Sequence, residues 1–478
     1  MLWISVLLPH LPVDLREPAP SRALAVTAGI GPHRCLLACN AAARSAGMTA
    51  GMDVPAALMR EPALELIQRS KADERRALHG LACWAHQFTS DVCLDLARWT
   101  LWLEAGASLR YFNGLHTLHA QLKEGLTRLG YTASIGVGPT LEAAAVLSRH
   151  RDVLPALNFR ELRRVLAPLP LSSLLLQRAV LEQLQTSGLC TIGDLLGVAQ
   201  ASIGRRFGVE LTHYLQRLLG ERPDPRRRHR MPPLYRRRLD FAQPLEVLEG
   251  LLFPLRRLLQ EFQGYLRGRD VAVQRLTVTL QHRNSPDTTL QLLTSAPQRD
   301  AQRLFALLRE KLERTALPQA ITRIILTAQD FVAPQIIQGD FFDDHARRDD
   351  SWTALLDKLR ARLGPDAVRR LGLRDDHRPE NAWCIAAEDQ ADLTAACNHP
   401  ADGPSAACLP DRPLWLLQPT PLASLPLLLG TPERIEAGWW EGEDASRDYY
   451  LARTAEGARW WLYREVGTKR WFLQGLWA

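Results

Sequence analysis

Apolar residues run almost unbroken through 2–8 (LWISVLL), the mark of a strand buried on both faces. A second β-rich stretch over 22–39 leads into an Ala-rich helix that starts at Ala41 and ends near Gly47. Strands are predicted again at 88–95 and 99–105, then a helix over 114–129 and a strand over 132–137 that turns at Gly138-Pro139 into another helix. This alternation predicts an α/β layer on one sheet. From 158 to 220 the helical period stands alone, split at Pro168, Pro170, Gly188 and Gly193.

The pattern breaks at RPDPRRRHRMPPLYRRR (222–238), which holds eight Arg, four Pro and one acid. Such a run is either a solvated, disordered face or a segment placed to lie along a phosphate backbone, and charge alone does not choose. Residues 235–331 then read as strand, helix (245–267), alternating strand (271–282), strand (288–294), helix (299–315) and strand (320–328). That βαββαβ order predicts helices on one face of an antiparallel sheet. A charged stretch, FFDDHARRDD, precedes a helix over 351–363, and the Pro-, Ala- and Gly-rich 396–413 reads as a second linker. From 414 the chain carries seven of its thirteen Trp (415, 439, 440, 460, 461, 471, 477) in strand-like pieces separated by Gly. These are expected to form the core of a small β-rich domain rather than a Trp-lined binding surface.

At 478 residues, and about 100–200 residues per domain, the chain has room for several domains. Hydrophobic residues at 46% and charged residues at 23% are ordinary for a folded protein and argue against collagen-like, wholly disordered or membrane-embedded classes. The net charge of +7 is almost all guanidinium, since Lys occurs only at 71, 123, 311, 358 and 469. Arg presents a planar fork of donors that suits phosphate, so the excess points toward nucleic acid. The eight cysteines contain no CxxC and no even framework, which predicts reduced thiols and a cytoplasmic protein. Cys397, His399 and Cys408 fit no standard metal spacing. The start is apolar but lacks a basic n-region and is broken by Pro9 and Pro12, and no later apolar run reaches 18 residues, so neither export nor a membrane span is expected.

Three local motifs carry a resemblance. CNAAARSAGMTAGM (39–52), SIGVGPTLEAAAVLS (134–148) and SGLCTIGDLL (187–196) resemble, in this order, the fingers motif, the palm strand-turn-helix and the second thumb hairpin of the Y-family translesion DNA polymerases. The resemblance implies an α+β multidomain fold: a Y-family polymerase-like palm with inserted fingers, a helical thumb, a βαββαβ little finger and a small C-terminal Trp-rich region. Its segments would be palm at 1–34 and 81–157, fingers at 35–80, thumb with helix-hairpin-helix-like motifs at 158–221, Arg-rich linker at 222–238 and little finger at 235–333. Beyond lie a clamp-binding linker at 334–350, a helical segment at 351–395, a linker at 396–413 and a β-rich partner-docking region at 414–478.

The departures from the family pattern matter as much. Phosphoryl transfer in this family needs two metal ions held by carboxylates. Here Val6-Leu7-Leu8-Pro9 stands where the first acids are usual, so Leu7 and Pro9 occupy acidic positions. Alignment of 88–106 without gaps puts Arg98 and Trp99 in place of the remaining Asp and Glu. A cation there repels Mg²⁺ and an indole cannot ligate it. Asp91, Asp95 and Glu104 fall out of register with the lost ligands. The Lys usual after Thr140 is Leu141, the Tyr usual three residues before Arg44 is Ala41, and the first thumb hairpin has Leu175 and Gln177 in place of glycines. No catalytic residue, metal or cofactor is therefore expected, and Arg44 remains as a vestigial nucleotide contact.

The second half resembles a non-catalytic branch of the family, through LLDKLRARLGPDAV (355–368), DDHRPENAW (375–383), DRPLWLLQPTPL (411–422), ERIEAGWW (433–440) and RWFLQGLWA (470–478). Gln338-Gly339-Asp340-Phe341-Phe342 resembles the peptide with which polymerases dock on the bacterial sliding clamp, two apolar side chains filling a cleft and the Gln amide bonding its rim. Gly339 replaces the usual Leu. The implied partners are primer-template DNA, through Arg226, Arg227, Arg228, Arg230, Arg236, Arg237 and Arg238; the sliding clamp (β subunit); a RecA-like accessory protein; and an error-prone C-family α-subunit-type polymerase. The competing readings are an active translesion polymerase with relocated metal ligands and a simple DNA-binding protein.

Overall fold

The computed structural model describes residues 1–16, 22–29, 34–150, 155–334, 344–364, 367–369, 371–374, 376–385, 412–438, 442 and 445–477. It divides into two units, Met1–Arg362 and Leu363–Ala478.

The first unit opens with β1 (Trp3–Leu7) and the short α1 (Leu11–Asp14). β2 (Leu24–Ala28), β3 (Cys35–Cys39), α2 (Ala41–Ser45), α3 (Val54–Arg60) and β4 (Glu65–Gln68) follow. α4 (Lys71–Ala85) leads back to β5 (Val92–Asp95), β6 (Thr100–Glu104), α5 (Leu115–Arg128), β7 (Ser134–Gly138) and α6 (Leu141–Leu147). The sheet order β5-β6-β1-β7 makes β1 an internal strand, which explains its unbroken apolar run. One face of this palm sheet packs Ile4, Val6, Leu101 and Leu103 against Leu78 and Leu81 of α4 and Leu122 of α5. The other receives α6, where Gly136 lies so close to the α6 backbone that a Cβ there would overlap it.

β2, β3 and β4 form a separate three-stranded sheet. The boundary expected between 34 and 35 therefore falls between two paired strands, Ala25 opposite Cys39, and the inserted module already includes Leu24–Ala28. At its other end α4, expected within the fingers up to residue 80, packs into the palm core, because its apolar stripe faces β1 and β6.

α7 (Phe159–Leu166), α8 (Arg178–Thr186), α9 (Ile192–Gly197), α10 (Gln200–Phe207) and α11 (Val209–Leu219) form the helical segment. They share a core with Ala143, Val146 and Leu147 of α6. β8 (Tyr235–Leu245), α12 (Leu248–Arg269), β9 (Ala272–His282), β10 (Thr288–Gln298), α13 (Ala301–Leu312) and β11 (Ile321–Ala328) make the expected βαββαβ module, ordered β10-β9-β11-β8, with β12 (Phe331–Val332) on β9. The helix expected from 351 begins earlier, as α14 (Asp344–Leu363). Buried Asp357 of α14 accepts the Ser295 N–H at the irregular end of β10 (2.7 Å).

The second unit pairs β13 (Leu371–Leu373) with β14 (Trp383–Ile385). Its main sheet is antiparallel, ordered β15 (Trp415–Pro421), β19 (Trp471–Leu476), β18 (Arg459–Glu465), β17 (Ala445–Arg453), β16 (Leu427–Ala437). The expectation that its tryptophans form a core holds for Trp461, buried with Ile435, Tyr449 and Tyr463, but not for Trp415, which is 63% exposed on an edge strand. Trp439 and Trp440 lie outside the described residues. Among the described residues no helix is long and apolar enough to cross a membrane.

Candidate functional site

The palm sheet gathers Leu7, Arg98 and Trp99, the positions expected to have lost their carboxylates, at one end. Leu7 pairs with Thr100 of β6 and Ser134 of β7, and the N–H of Leu8 donates to the carbonyl of Trp99 (3.0 Å). Leu7, Arg98 and Trp99 thus share one corner, with Pro9 just beyond the strand. Asp95 builds the β5–β6 turn by accepting the N–H groups of Ala97 (2.9 Å) and Arg98 (3.2 Å). Trp99 there takes a left-handed φ of 50°, a conformation bulky residues avoid. Its indole N–H donates to Glu74 (2.9 Å), which also holds Arg69 through two bonds of 2.7 Å, and the Arg69 guanidinium lies over the indole at 5.4 Å.

Arg98 points the other way, toward Glu142 at the start of α6 (3.9 Å). Glu142 is 2% exposed and also accepts from Arg226 of the linker (2.7 Å). Burial pushes its pKa up, and Arg226 and Arg98 oppose that shift. Arg226 in turn holds Asp224 (2.9 Å) and lies over Trp102 at 5.5 Å. The nearby acids are all engaged: Asp95 in its turn, Asp91 with Arg228 (2.7 Å), and Glu104 with the N–H groups of Leu2 and Gly106 (3.1 Å each). Among the described residues no group of three or more His, Cys, Asp or Glu is arranged to hold a metal ion.

The Arg-rich linker is tied to the palm. The N–H of His229 donates to the carbonyl of Val92 (2.7 Å) and Arg228 bridges Cys93, so the segment extends the free edge of β5. His229 also meets His86, just past the end of α4, ring to ring (3.2 Å between nitrogens), and burial, then His86 and His79, push its pKa down to about 4.

The seven arginines expected to meet DNA divide by geometry. Arg227, Arg228, Arg230, Arg236 and Arg238 are exposed. In β8 the period of two puts Arg236 and Arg238 on the face opposite the helices, in rows with Thr327 and Thr277, and with Ile325 and Thr279. Arg323 lies on the same face, opposite Asp240 and Gln281. Arg237 corrects the expectation. It shares the helix-side face with Leu326 and Val278, and its side chain is enclosed against Glu261 (2.5 Å) and the carbonyl of Arg76 (2.6 Å). Arg226, committed to Glu142 and Asp224, is likewise half-buried.

In the helical segment the N–H of Leu175 is taken by the Tyr214 hydroxyl (3.2 Å), and at the second hairpin Asp194 accepts the N–H groups of Cys190 (3.0 Å) and Thr191 (2.8 Å). Arg44 donates to the Cys39 carbonyl (2.6 Å) and lies 3.2 Å from His10. Gln338, Gly339, Asp340, Phe341 and Phe342 lie outside the described residues. Sequence reasoning missed Glu142, Glu74 and Glu261, the acids that receive these arginines. The only signal for Glu142 was its place in the first turn of a helix capped by Thr140.

The four-stranded sheet with its inserted three-stranded module, the helical segment packed on its last helix and the βαββαβ module follow the order of segments expected from the resemblance to the Y-family polymerases. Residues 15–149 match the impB/mucB/samB family. Over nearly its whole length the chain is similar to ImuB: Protein ImuB from two strains of Caulobacter vibrioides, NA1000 / CB15N and ATCC 19089 / CIP 103742 / CB 15, is 25% identical over 460 residues, covering 90% of this chain and 99% of the relative. Among solved structures, a chimera of the Y-family DNA polymerases Dbh and Dpo4 covers 70% of this chain and 100% of its own at 16% identity and a TM-score of 0.41. DinB from Sulfolobus solfataricus covers the same shares at 15% identity and a TM-score of 0.40.

Proposed function

We propose that the chain is a non-catalytic Y-family polymerase homologue that serves as a scaffold in error-prone translesion synthesis and DNA-damage-induced (SOS) mutagenesis. The observation that carries this reading is the palm corner: Arg98 and Trp99, which with Leu7 align by the family resemblance with metal-binding carboxylates, are built into contacts with Glu142 and Glu74. A guanidinium and an indole cannot hold the two cations that in-line phosphoryl transfer requires.

The scaffold binds primer-template DNA through the arginines of the linker and the open face of the βαββαβ module, Arg227, Arg230, Arg236, Arg238 and Arg323, where guanidinium groups meet phosphate. It holds the sliding clamp through Gln338, Phe341 and Phe342, and the region after about 345 docks the RecA-like ImuA and the C-family polymerase of a cytoplasmic mutasome. Each contact is modest alone, and tethering raises the effective concentration of the others to about the mM range.

The test is clamp binding by the full chain, measured calorimetrically. The chain is expected to bind and a Gln338→Ala, Phe341→Ala, Phe342→Ala variant to lose binding while its melting transition is unchanged. Equal binding by both would remove the clamp from the account.

A further inference from the structure

Where the βαββαβ module meets the palm, the two are fitted notch to ridge. α12 carries Gly264 and Gly268 one turn apart on the side facing α4. A Cβ at Gly264 would overlap Trp84 and stand 2.9 Å from the Gln87 amide; one at Gly268 would stand 2.8 Å from the His86 Cβ. On α4, Gly80 leaves the space that Glu261 and Arg237 fill. Cys83 of α4 is buried within the core of the βαββαβ module itself, beside Tyr235 and Phe262. Buried Arg257 of α12 reaches the carbonyl of Asp14 (3.2 Å) and lies over Tyr131 at 4.5 Å. The linker adds its own ties along β5: His229 to Val92, Arg228 to Asp91 and Arg226 to Glu142.

A module that swings as a rigid body needs faces that water can cover once they part. These faces are unsuited to that. Separation would expose Trp84, Cys83 and the bare backbone around Gly264 to water, and would break the bond from Arg237 to the Arg76 carbonyl. Glycine-notched helix contacts admit one register, because the ridge fits only over the notch, and buried ion pairs are best attested as devices that fix such a register.

We propose that the palm, the Arg-rich linker and the βαββαβ module form a single locked body, so that the chain offers DNA a preset surface in place of a module that closes on it. The altered centre is part of the lock. Arg98, at a former ligand position, shares Glu142 with Arg226, so the residue that expels the metal also helps anchor the linker. The lock does not depend on the clamp or on partner proteins.

The test uses the full chain with spin labels on non-natural residues at the exposed positions 128 on α5 and 283 after β9, read by pulsed dipolar spectroscopy with and without primer-template. One narrow distance that DNA leaves unchanged is expected. A broad distribution, or a distance that moves when DNA binds, would overturn the proposal. In the same labelled chain Gly264→Leu should add a second distance; a folded Gly264→Leu chain that keeps the single narrow distance would equally overturn it.

Discussion

At the residue scale, Glu142 is the pivot of the palm corner. It is buried, and it faces two guanidinium groups from different segments, Arg98 of the β5–β6 turn and Arg226 of the linker. Removing it leaves Arg226 with Asp224 and Arg98 with Asp95 as their remaining acidic partners, so Glu142→Ala should cost about 1–3 kcal/mol in denaturant unfolding. Arg228→Ala should change stability by less than about 1 kcal/mol, because Arg228 is 69% exposed and its pair with Asp91 is screened. Equal effects of the two would deny Glu142 this role. Leu7 was legible near the end of a strand, and Arg98 and Trp99 at the turn between two predicted strands. Their new partners were not, because Glu74 and Glu142 come from distant helices and nothing local marks them as receiving arginines.

At the element scale, strands and helices are legible where a period runs long. α12, β9 and α13 stand close to their expected ranges, and β1 is recognisable as internal from its apolar run. The linker is not the free basic strip its composition suggests, because composition says nothing about edges: β5 has an unpaired side, and a stretch that includes His229 completes it. Alternation along β8 already contains the correction for Arg237, since neighbours in a strand face opposite ways and only one of those faces is open. The consequence is measurable in DNA binding. Replacing Arg227, Arg230 and Arg236 by Ala should weaken binding and flatten its salt dependence, by about one unit of slope for each phosphate no longer neutralised. Arg237→Met should leave that slope unchanged. A slope that falls for Arg237→Met as it does for an exposed arginine would place Arg237 on the DNA and contradict its enclosure.

At the scale of the whole molecule, the α+β multidomain plan was legible in the order of segments, but the limits of modules were not. The inserted sheet begins before residue 34, and α4 belongs to the palm core, because sheet membership depends on partners far along the chain. On the proposed reading the frame of a polymerase is kept while an arginine, a tryptophan and a leucine stand at its centre. Primer extension tests that centre: the full chain is incubated with primer-template, deoxynucleotides and Mg²⁺ or Mn²⁺, and binding is measured on the same preparation. Bound primer with no extension above the protein-free control is the predicted result. Extension that grows with protein concentration and stops when the metal is chelated would contradict it, and would mean that the palm holds metal through other carboxylates.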